Sequence, residues 1–63
     1  METWFYDTIV GDVKLIQHID PITELTYYGI HSMDRGYLGK LWSENVGNSL
    51  LYDLESCLAE LGY

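Results

Sequence analysis

Cysteine occurs once in this chain, at Cys57, and proline once, at Pro21. A lone thiol excludes an internal disulfide and leaves no cysteine cluster to hold zinc, so a small fold has to stand on packing alone. Basic side chains are nearly as scarce: three Lys and Arg face ten Asp and Glu, for a formal charge of -7 over 63 residues. A field of that sign repels nucleic-acid phosphates and anionic lipid, which argues against direct binding to either. No apolar run is long enough to span a bilayer. The opening METWFYDTIVGD carries Glu2 and no basic lead into an apolar stretch, so no secretory signal is expected and a cytoplasmic location is the default. Low-complexity tracts, repeats and Pro/Gly/Ser linkers are missing too, which leaves a single domain over residues 1–63.

What the chain does have is rings. Two Trp, six Tyr and one Phe accompany an apolar content of 48%, the composition of a folding domain and not of a disordered acidic tail. A domain this short buries only about 60% of its unfolded surface, so a partner chain or self-association is expected to contribute to its stability.

The period of the apolar residues changes once along the chain. Thr3 to Val10 is aromatic and β-branched, Gly11-Asp12 reads as a two-residue turn, and Val13 to Ile19 resumes the extended pattern, which predicts an N-terminal hairpin. With that loop Val10 would face Val13, Thr8 Leu15, Tyr6 Gln17 and Trp4 Ile19 on a core side. The other side would pair Ile9 with Lys14, Asp7 with Ile16 and Phe5 with His18. Asp20-Pro21 stops the second strand, and Asp20 can cap a turn over Ile22 to Glu24. Leu25 to Met33 favours a strand, Asp34-Arg35-Gly36 a reversal, and Tyr37 to Ser43 a further strand. Gly29 and Gly39 within these two runs imply a bulge or a close approach.

Leu50, Leu51, Leu54, Cys57, Leu58 and Leu61 recur at steps of three and four, opposite Ser49, Asp53, Ser56 and Glu60, which is the pattern of an amphipathic helix. Asn48 is placed to cap its start and Gly62 to end it. The fold expected is α+β: an antiparallel sheet of three or four strands, hairpin first, packed against one C-terminal helix. Trp4, Tyr6, Tyr27 and Trp42 are the rings expected to cover that helix.

Chemistry is poorly represented. His18, His31, Ser32 and Cys57 are the only nucleophile and base candidates singled out, and no motif surrounds any of them. Gly36-Tyr37-Leu38-Gly39-Lys40 lacks the spacing and the following Ser/Thr of a phosphate loop, and no acidic loop has the spacing of a calcium site. The chain therefore reads as a non-enzyme with no catalytic residue, cofactor or metal. Cys57, on the leucine stripe, reads as a buried inert thiol.

The acids and rings remain. A solvated acidic surface keeps a small domain soluble and is the plain reading of the charge. The sharper reading places Asp53 and Glu60, seven residues apart on one helical face with Glu55 to the side, where phosphates would stand against a basic groove. Phe5, Ile9 and Ile16 beside Asp7, Lys14 and His18, joined by Tyr28 and Ile30, would form an apolar patch that one helix cannot also cover, and such a patch marks an interface. The interaction residues expected are thus Phe5, Asp7, Tyr28, Trp42, Asp53, Glu55 and Glu60. The partner expected is a protein with a basic surface, a nucleic-acid-binding protein being the natural case, with a homodimer or self-assembling subunit as the alternative.

In composition alone the chain is similar to the small acidic proteins by which phages and mobile elements block host defence or transcription, anti-CRISPR proteins and inhibitors of DNA repair among them. That likeness implies an inhibitor or regulator of a host protein, and it carries no residue roles.

Overall fold

The computed structural model describes residues 3–63. Strands β1 (Thr3–Thr8), β2 (Gly11–Ile19), β3 (Thr26–Ser32) and β4 (Gly36–Trp42) form one antiparallel sheet in the order β1-β2-β3-β4, and helix α1 (Gly47–Glu60) follows. The architecture is the α+β sheet-and-helix arrangement that the change of period implies. Among the described residues no helix is long and apolar enough to cross a membrane.

One face of the sheet meets the helix. Leu50, Leu54 and Leu58 lie on a single stripe of α1 and are fully buried, packed into one core with Val13, Leu15, Tyr28, Ile30 and Leu41. Trp4, Tyr6, Val10, Leu38, Leu51 and Cys57 close over its margins. Trp4 meets Tyr28 edge-on at 5.6 Å between centroids, the geometry that ring quadrupoles favour.

The hairpin turns earlier than Gly11-Asp12. Ile9 and Val10 occupy the turn, Gly11 follows at φ +87°, and the register pairs Tyr6 with Val13, Trp4 with Leu15 and Phe5 with Lys14. Local bonding favours this turn: the Thr8 hydroxyl accepts from the Val10 N–H at 3.2 Å and donates to the Gly11 carbonyl at 2.9 Å. Each expected cross-strand partner is displaced by four positions. Because four is even, no side chain changes face, and Trp4, Tyr6, Val13 and Leu15 remain on the core side.

In β3 the expected faces are exchanged. Pairing of Gln17 with Tyr28 and of Leu15 with Ile30 puts Tyr28 and Ile30 on the core side, where they are 2% and 0% exposed. Tyr27 goes outside with its cross-strand neighbour Trp42, which is 49% exposed. Neither ring covers the helix, and Tyr28 is an internal packing residue instead of a contact for a partner.

Gly29 and Gly39, inside β3 and β4, mark close approaches. A Cβ on Gly39 would stand 3.3 Å from Leu61 Cδ1 and one on Gly29 3.1 Å from His31 Nε2, so the helix end and an imidazole lie over bare backbone. A register shift between Ile30 and His31 adds a bulge beside Gly29. Asp20 caps its turn as its position implies, Oδ1 accepting from the Ile22 N–H at 2.8 Å. Ser32, buried, accepts from the Asp34 and Arg35 N–H groups and so satisfies its hydroxyl within the next turn.

The helix starts differently from expectation and ends as expected. Val46 holds the N-cap position with no side-chain bond, and Asn48 lies inside the first turn. At the other end Gly62, at φ +96°, donates to the Ala59 carbonyl and Tyr63 to the Leu58 carbonyl, the paired bonds of a Schellman ending.

Leu54→Ala is expected to destabilise the fold by about 2–5 kcal/mol, most of what a domain of this size has. Urea unfolding followed by far-UV circular dichroism should show the midpoint collapse, while Tyr52→Ala, at a position 73% exposed, should leave it unchanged.

Candidate protein-binding surface

The face of the sheet turned away from α1 has no covering element among the described residues. Its side chains align in rows across the strands: Phe5, Lys14, His31 and Tyr37 in one, Ile16, Gly29 and Lys40 in the next, and His18, Tyr27 and Trp42 in the third. The third row is a ladder of rings, with His18 stacked on Tyr27 at 5.1 Å and Tyr27 tilted against Trp42 at 4.9 Å. His31 leans on Tyr37 at 5.2 Å. Lys40 Nζ sits 5.0 Å from the centre of the Tyr27 ring, a cation held over an aromatic face. Phe5 and Tyr37 are 67% and 56% exposed. A solvated sheet face ordinarily alternates toward polar residues, so this concentration of rings departs from that pattern.

Both lysines of the chain stand on this face, and the acids lie mainly around it. Asp7 and Asp12, directly opposite each other at the hairpin end, are the exception. Like charges so placed repel, and they make that end of the face anionic.

Around the edge of β4 the ring face passes into a groove between the strand and α1. It has a volume of about 700 Å³, and its walls include Leu25, Trp42, Glu44, Asp53, Cys57 and Glu60. Asp53 Oδ2 accepts from the Ser43 hydroxyl at 2.6 Å and from Asn45 Nδ2–H at 2.7 Å, which ties the loop before α1 onto the helix. These two bonds hold the Asp53 carboxyl below its usual range, the Ser43 bond contributing most. Cys57 Sγ–H donates to the Lys40 carbonyl at 3.5 Å. Burial, and then the nearby Glu60 charge, push its thiol up, so it is less easily ionised than a free cysteine.

The structure brings Trp42, Asp53 and Glu60 together along the groove. Phe5 and Asp7 stand on β1, at the far side of the ring face. Glu55 lies on another flank of the helix, beside Asn48, Leu51 and Tyr52, so the three helix carboxylates do not form one row. Tyr28 is enclosed in the core. Tyr27, Tyr37 and Lys40 belong to the surface and were not among the interaction residues expected. Strand alternation counted back from Trp42 through its partner Tyr27 would have found Tyr27 and Lys40, whereas Tyr37 reaches this face only through the register shift in β4, where alternation alone would have placed Leu38. The histidines lie on the ring face, whereas Ser32 and Cys57 lie on the helix side, so these four groups do not converge.

A carboxyl with a lowered pKa contributes stability that is present above its unfolded-state value and is lost as pH falls through its folded-state value. The Asp53 tether is therefore expected to persist into acid below the normal aspartate range. A carboxyl-detected NMR titration should give a depressed midpoint for Asp53 that moves back toward normal in Ser43→Ala, the Asn45 bond keeping part of the depression. Cys57 should alkylate with iodoacetamide more slowly than free cysteine at mildly alkaline pH, read by intact mass.

No protein-family model, curated protein or solved structure matches the chain.

Proposed function

We propose that this protein is a binding module that docks on another protein and blocks or tunes it, the style of an inhibitor or regulator acting in the cytoplasm. The position of Trp42 carries the reading. Half exposed, it stands where the ring ladder of the sheet meets a groove edged by Glu44, Asp53 and Glu60. Large rigid rings give contact area at little entropic cost, and adjoining carboxylates add orientation and select a basic partner. The footprint runs from Phe5 and Tyr37 across Tyr27 to Trp42 and into the groove. A basic protein surface fits its acidic end, and nucleic-acid-binding proteins are the class richest in such surfaces.

Self-association supports a second reading, that of an assembling accessory subunit, because the same uncovered ring face could close on a second copy. Against it stand a charge of -7 on every copy and the two lysines that faces meeting symmetrically would bring together.

Affinity capture from a nuclease-treated bacterial lysate, at low and high salt, tests the reading when run with variants. Trp42→Ala and Tyr37→Ala should each weaken the captured complex by about 2 kcal/mol with the fold intact, and Tyr52→Ala should not. Capture that is indifferent to Trp42 and Tyr37 refutes this docking surface. Sedimentation showing a stable oligomer and no captured protein would favour the self-assembling subunit.

A further inference from the structure

The open edge of β4 offers main-chain groups as well as side chains, and their direction can be assigned. The Lys40 carbonyl accepts the Cys57 thiol from the helix side, so it points away from Gly29, its partner on β3. Opposed residues of an antiparallel pair alternate between exchanging main-chain hydrogen bonds and not doing so. Lys40 thus occupies a non-bonded position, and Trp42, two residues on, occupies another. Leu41 between them bonds back to Tyr28. The outward N–H groups of Lys40 and Trp42 and the C=O of Trp42 are the template that an added strand reads, while the Lys40 C=O already accepts the Cys57 thiol.

The flank of this edge decides what kind of strand fits. The groove beside it carries Glu44, Asp53 and Glu60, while its one cation, Lys40, is drawn to the opposite side over Tyr27. Both hydrogen bonds to Asp53 fall on Oδ2, which leaves Oδ1 for an incoming donor. The other side of the edge is the ring face at Trp42. An added strand, with side chains alternating at a period of two, would send one set toward the carboxylates and the next toward the rings. Above Gly39 the bulge interrupts the ladder, so the paired stretch is short, about three to five residues.

We propose that β4 accepts an extended segment of the partner protein as a fifth strand, with basic side chains directed into the Asp53–Glu60 groove and apolar ones onto Trp42. The proposal rests on the protein-docking reading above and adds the chemistry of the segment recognised: alternating basic and apolar residues, presented extended.

The test uses a blocked synthetic peptide, Lys-Val-Arg-Val-Lys, and the same peptide N-methylated at the amides that would face β4. Methylation keeps every charge and removes the ladder donors. With the full chain labelled with ¹⁵N, the unmodified peptide should shift the Lys40 and Trp42 amides and slow their hydrogen exchange. The methylated peptide should bind about tenfold more weakly or worse. Glu60→Gln, and Asp53→Asn with its fold checked by circular dichroism, should each weaken the unmodified peptide several-fold. Equal binding of the two peptides means attraction by charge alone and overturns the fifth strand. Shifts centred on Phe5 and Tyr37, or no binding of either peptide, overturn it as well. In those cases a complex still lost on Trp42→Ala leaves the docking reading standing, so the two can fail separately.

Discussion

Everything else in this molecule depends on the packing of three leucines, Leu50, Leu54 and Leu58, against one side of the sheet. A four-stranded meander has two faces, and with a single helix only one of them can be dry. Val13, Leu15, Tyr28, Ile30 and Leu41 are the side chains that this one contact removes from water. With no disulfide and so short a chain, the contact carries a share of stability that larger domains divide among several layers. It also settles the exposure of the remaining residues. Any large side chain of opposite parity along a strand is left facing outward, and that is how Phe5, Tyr27 and Trp42 come to lie together, with Tyr37 brought to the same face by the bulge in β4.

The loop before the helix is held in a complementary way. Val46 cannot cap, and the first turn carries no acid. Order there comes from Asp53, one turn further in, which reaches back to Ser43 and Asn45, and from the Tyr6 hydroxyl, which donates to the Gly47 carbonyl at 3.3 Å. An acid that looks in sequence like one member of a charged helix stripe is therefore partly occupied with tethering. Its remaining oxygen borders the groove, so one side chain shapes the surface and contributes to its charge.

Legibility in the sequence follows the range of the interaction involved. The helix and its Gly62 ending were readable because a stripe at steps of three and four and a left-handed C′ residue are local signals. The strands were readable as strands for the same reason. The hairpin register was not, since Thr8 bonding to its own turn outcompeted the expected use of Gly11-Asp12, although the even displacement preserved the faces. The faces of β3 were missed because Tyr27-Tyr28 offers a ring to either side, and only pairing with Leu15 and Gln17 chooses between them. Trp42, Asp53 and Glu60 were all singled out, yet their meeting in one groove depends on where the helix crosses β4, and no spacing encodes that. Glu55 was legible, since two residues along a helix from Asp53 is more than half a turn, and it stands to the side of that pair as the spacing implies.

The strand order β1-β2-β3-β4 has a consequence in time. Every strand pairs with its neighbour in sequence, so sheet assembly proceeds by successive short loop closures of the kind that fold quickly. Docking of α1 is the one step that must span the chain, bringing Leu50 to Leu58 back over Val13 and Leu15. Until it happens, the meander is a bare sheet wet on both faces, with the side later buried as sticky as the side that stays open. The interval between strand pairing and helix docking is when such a chain is most exposed to misassociation, and its excess of carboxylates, by keeping copies apart, protects it during that interval.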